Sequence, residues 1–104
     1  MANELMLIQA VSNVSQAITS LATSAKTFGR IRKQDIVIFE EQLLYLKRAC
    51  RARGCGTLTR LSIEEIEKTL SNIEQKNYSG TMLDMAMQLL NVEMQVLRKN
   101  IEDY

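Results

Sequence analysis

Residues 5–25 read LMLIQAVSNVSQAITSLATSA, a run of 21 without one charged side chain. Its apolar positions, continued past its end, are Leu7, Val11, Val14, Ile18, Leu21, Ala25 and Phe28, spaced 4, 3, 4, 3, 4, 3. That spacing places them on one side of an α-helix, and no alternation of period two competes with it. The remaining positions are mostly Ser, Thr, Gln, Asn and Ala. A helix back that faces water normally carries charge, so a neutral one predicts a helix built for close packing, within the chain or against another. Its nine polar residues argue against a membrane span. Glu4 and the broken apolar run argue against a secretory signal, so the expected setting is the cytoplasm, with no membrane partner.

Working outward, the same period recurs three times. A first helix is expected over 3–28, closed by Gly29 as a left-handed C-terminal cap. A second is expected over 35–53, started by Asp35, with Ile36, Phe39, Leu43, Leu46 and Cys50 on its stripe. Ser62-Ile63-Glu64-Glu65 has the form of a capping box and predicts a third helix over 62–77. A fourth, over 81–101, carries two apolar stripes. One is Met82, Met85, Leu89, Val92 and Val96; the other is Leu83, Met87, Leu90, Met94, Leu97 and Ile101. Such a helix is expected either at the centre of a bundle or between the bundle and a partner, and the central position is the reading adopted. With 104 residues, no proline and four glycines, the chain reads as a single all-α domain spanning 1–104, a compact bundle of about four helices.

Chemistry is poorly provided for. There is no histidine, which removes the commonest general base and metal ligand. Glu40–Glu41 and Glu64–Glu65 are sequence neighbours, and adjacent helical residues do not converge on one point. Gly54-Cys55-Gly56-Thr57 lacks the lysine and spacing of a phosphate loop. Cys50 and Cys55 alone cannot complete a tetrahedral zinc site. Cys50 falls on an apolar stripe, whereas Cys55, near Arg51, Arg53 and Arg60, reads as an exposed thiol of lowered pKa. No catalytic residue, metal or cofactor is expected.

Charge is uneven: residues 26–60 hold nine Lys/Arg against three Asp/Glu, and 61–104 hold four against eight. The candidate anion or nucleic-acid contacts are Arg30, Arg32, Lys33, Lys47, Arg48, Arg51 and Arg53. A helix-turn-helix does not fit, because the third helix carries four Glu against two Lys. The same cations can instead meet the acidic half of the chain. The expectation is therefore a non-enzymatic protein–protein interaction module of adaptor, inhibitor, chaperone-like or regulatory type, acting by burial of apolar helix faces. Its candidate partner-binding residues are Val11, Val14, Ile18, Leu21, Met85, Leu89 and Met94. The partner is expected to be another protein or a second copy. The alternatives are a nucleic-acid binder using the basic 30–60 region and a structural subunit of a homo-oligomer.

Overall fold

Without proline, only glycine and the polar turn residues can end a helix in this chain, and the computed structural model, which describes residues 2–103, divides where they occur. The elements are α1 (Ala2–Phe28), α2 (Lys33–Arg53), α3 (Gly56–Lys76) and α4 (Gly80–Glu102). Gly29 follows α1 at φ +71°, a region that a side chain disfavours, and its N–H bonds the Ala25 carbonyl at 3.0 Å. Asn77, also left-handed at φ 51°, closes α3.

Each helix packs on the two beside it, in the ring order α1, α2, α3, α4, and no close backbone approach crosses either diagonal among the described residues. The sequential hairpins α1–α2 and α3–α4 pack most extensively; α2–α3 and α1–α4 pack more lightly. Neighbours run antiparallel, as short connections require. Glu4 meets Arg53 while Ser24 meets Asp35, and Ser62 meets Asn100 while Thr69 meets Glu93. The long dimension of 42 Å is that of a single helix, since the 27 residues of α1 span about 40 Å at 1.5 Å per residue.

The core is continuous. Leu7, Val14, Ile18 and Leu21 of α1 face Ile36, Phe39, Leu43 and Leu46 of α2, Ile63, Ile66, Leu70 and Ile73 of α3, and the Leu83 stripe of α4. The α1 stripe is therefore satisfied inside the chain, while Gln16, Thr19, Ser20 and Thr23 on its back are exposed. That neutral back is hydrogen-bonded along its own helix: Thr19 and Thr23 hydroxyls donate to the Ser15 and Thr19 carbonyls at 3.2 and 3.0 Å. By length and composition alone, Glu4–Phe28 could cross a membrane, a test that the core helix of a bundle also passes.

Three local expectations are corrected. α3 begins at Gly56 rather than at residue 62, because Thr59, fully buried, extends the Ile63 stripe by one turn. Ser62 caps nothing: it is buried inside the helix, its hydroxyl donating to the Leu58 carbonyl at 3.0 Å and accepting from Asn100 Nδ2 at 2.7 Å. Asp35 is the third residue of α2, whose cap position is Arg32. Its carboxylate is taken up by the Ser24 hydroxyl and by Arg32 Nε at 3.0 Å, so it ties the end of α1 to the start of α2. These bonds, Ser24 first and then Arg32, hold the Asp35 carboxyl below the usual value of 3.8.

Candidate interaction surface

The two stripes of α4 have opposite fates. Leu83, Ala86, Met87, Leu90, Met94 and Leu97 are buried. Met82, Met85, Leu89, Val92 and Val96 stand in solvent, with exposures from 48% at Leu89 to 59% at Met85. The central position expected for this helix is thus overturned. α4 touches α1 and α3 only and is a corner of the ring, with half of its apolar circumference uncovered.

Polar anchors flank the buried stripe of α4 on either side. Towards α1, Arg98 Nη2 donates to the Ser15 hydroxyl. Towards α3, Asn100 bonds Ser62, and Glu93 Oε2 accepts from the Thr69 hydroxyl at 3.0 Å. The exposed stripe is continued by α3 at one end. Asn100 Nδ2 reaches the Leu58 carbonyl at 3.4 Å, and the Leu58 and Leu61 side chains near that point are 67% and 49% exposed. Both lie between the helices expected over 35–53 and 62–77, in a stretch to which the sequence reading assigns no element.

Of the partner-binding candidates, only Met85 and Leu89 are on the surface. Val14, Ile18, Leu21 and Met94 are core residues and Val11 is half-buried against the core, so the bundle itself occupies them. Met82, Val92 and Val96 complete the exposed face and were legible as a stripe, but nothing in a helix with two stripes says which one faces out.

Glu93 sits at the border of this face with α3. Its Oε1 is buried without a partner, and burial, offset by the Thr69 bond and reinforced by the nearby Glu65, raises its carboxyl above the ordinary 4.5. A raised carboxylate costs stability wherever the unfolded chain is ionised, so the penalty is complete above the folded pKa and disappears below 4.5. Glu93→Gln is therefore expected to raise the thermal midpoint at pH 7 and to match the parent below 4.5. Paired thermal melts at pH 7 and pH 3.5 check this.

The basic candidates do not assemble into one patch. Arg30, Arg32 and Lys33 lie at the α1–α2 turn, and Lys47, Arg48, Arg51 and Arg53 lie in the second half of α2. From Lys33 to Lys47 the helix rises about 21 Å. Several of these cations are engaged within the chain: Arg32 with Asp35 and over the Phe28 ring at 4.8 Å, Lys47 with Glu67 at 2.7 Å, and Arg53 with Glu4 at 2.9 Å.

The light α2–α3 contact leaves a cleft of about 550 Å³ at the cysteine turn. Lys47, Arg51 and Arg60 line it together with Glu64 and Glu67, over a floor that includes Cys50, Cys55 and Ile63. Cations and carboxylates thus share its walls. Cys55 is buried rather than exposed, and burial, with the hydrogen bond and charge of Cys55, pushes the Cys50 thiol up to about 12. A thiol held so high is a poor nucleophile at neutral pH. Among the described residues, no group of three or more His, Cys, Asp or Glu side chains is placed to hold a metal ion.

Comparison with protein-family models, with curated proteins and with solved structures returns no match.

Proposed function

We propose that this chain is a non-enzymatic helical interaction module that works by having the exposed face of α4 covered by another helix. The observation that carries the reading is the stripe Met82, Met85, Leu89, Val92, Val96 on a bundle whose core is already complete. Its 3, 4, 3 and 4 residue spacing is that of a helix–helix seam, about 21 Å long. Isolated apolar residues on a surface need no explanation, but five in register along one helix form a contiguous patch of the kind that marks an interaction site. Two methionines in it add side chains that adapt to a partner's shape. The reading is supported further by what α4 does not need: its polar anchors and its buried stripe hold it in place without the outer one.

The test compares the parent with Leu89→Glu in affinity capture from the native host and in light scattering. The reading expects a bound protein or self-association in the parent and its loss in the variant, with the helical circular dichroism signal retained. Binding indifferent to Leu89→Glu would sink it.

A further inference from the structure

Cys50 and Cys55, the two cysteines of the chain, are brought together by the way α2 ends. We infer that they form a two-coordinate site for a soft, closed-shell cation, copper(I), at the floor of the cleft between α2 and α3. The site shares no residue with the α4 face.

The geometry begins at Gly54. Its φ of +84°, strained for any residue with a side chain, turns the chain back on the last turn of α2, and its N–H bonds the Cys50 carbonyl at 2.7 Å. Cys55 follows directly, at the position that caps α3, and its thiol shares a hydrogen bond with that of Cys50. Both residues line the cleft, so an ion reaches them from solvent. Cys50 is half-buried and Cys55 buried, so an ion held between them sits below the surface.

Ligand type and number choose the metal. Thiolate is a soft donor and selects copper(I), zinc and iron–sulfur clusters. Zinc needs a tetrahedron of four ligands, and iron–sulfur clusters need four cysteines. Among the described residues no third His, Cys, Asp or Glu is grouped with the pair. Glu64 and Glu67 on the cleft walls are hard oxygen donors, and Glu67 is already held by Lys47 at 2.7 Å. Copper(I) is satisfied by two sulfurs.

Charge fits as well. One copper(I) takes the place of two thiol protons, which pass to solvent, and one positive charge on two thiolates leaves a net charge of −1. Arg51 and Arg60 line the same cleft, and neither has an ion pair among the described residues. Their guanidinium groups supply the compensating charge. In the metal-free pair, burial and the adjoining Cys55 keep Cys50 protonated and so protect it from reacting as a nucleophile.

An anaerobic titration under reductant tests the site. The parent, Cys50→Ser and Cys55→Ser are each added to copper(I) held in its coloured bicinchoninate complex, with circular dichroism as the check on folding. The parent is expected to withdraw one copper per chain and to keep it against a roughly tenfold excess of zinc(II), and each serine variant to bind at least about 100-fold more weakly. Copper(I) is expected to raise the thermal midpoint of the parent, because the folded turn holds the two thiols together and the unfolded chain does not. One equivalent is also expected to protect both thiols of the parent from alkylation, which identifies the ligands even if a serine variant fails to fold. A folded serine variant that withdraws copper as tightly as the parent, displacement by zinc(II), a midpoint that copper does not move, or thiols that stay open to alkylation each overturn the inference.

Discussion

Leu90→Glu is expected to abolish the native fold, while Leu89→Glu, one residue away, leaves it intact. Leu90 is fully buried, facing the stripes of the neighbouring helices, whereas Leu89 is 48% exposed. A carboxylate forced into the Leu90 site has no partner there and must either stay desolvated or open the bundle. Together with the lost packing, that costs at least about 4 kcal/mol. A domain of this length has a total stability of about 5–15 kcal/mol, so most or all of the margin is consumed. At position 89 the same carboxylate projects into water, and its effect on stability is expected to stay within about 0.5 kcal/mol. Circular dichroism and thermal melts of the two variants side by side measure the difference. Equal effects at the two sites would show that the orientation of α4 is wrong.

Phe39→Ala is expected to give the next largest loss, about 3–5 kcal/mol. Phe39 is the one fully buried aromatic among the described residues, held on α2 between Ile36 and Leu43 of its own stripe. Its removal leaves a ring-sized void in a core of aliphatic side chains that cannot collapse without moving a helix. The thermal midpoint should fall by roughly 15–30 °C. Phe28, 52% exposed at the end of α1, serves as the control. Phe28→Ala loses only its stacking under Arg32 and is expected to shift the midpoint little.

The all-α architecture was legible because each helix carries at least one stripe at 3.6-residue spacing and nothing but glycine or a polar turn separates them. The heptad from Leu7 to Leu21 placed the inner face of α1, and Gly29 ended it as expected. Errors arose where local chemistry had two uses. Ser62 and Glu65 have the spacing of a cap, yet the serine hydroxyl serves Leu58 and Asn100 inside a longer helix. Asp35 has the composition of a cap, yet Ser24 and Arg32 claim its carboxylate. In each case one competing partner, Asn100 for Ser62 and Ser24 for Asp35, lies on another helix, where sequence spacing cannot reveal it.

The uncharged run at residues 5–25 and the glycine positions were enough to determine four amphipathic helices and the side of α1 that faces inward. Only the tertiary structure decided which face of α4 is buried. Both stripes on that helix have helical spacing, although the inward one is the longer and richer, with Leu83, Leu90, Leu97 and Ile101 against Leu89 alone among the leucines and isoleucines of the outer one. Groups far away in sequence fit that rotation: Ser15 accepts from Arg98, Ser62 accepts from Asn100, and Thr69 donates to Glu93. With the Leu83 stripe inward those bonds are made, and that rotation leaves Met82, Met85, Leu89, Val92 and Val96 facing out.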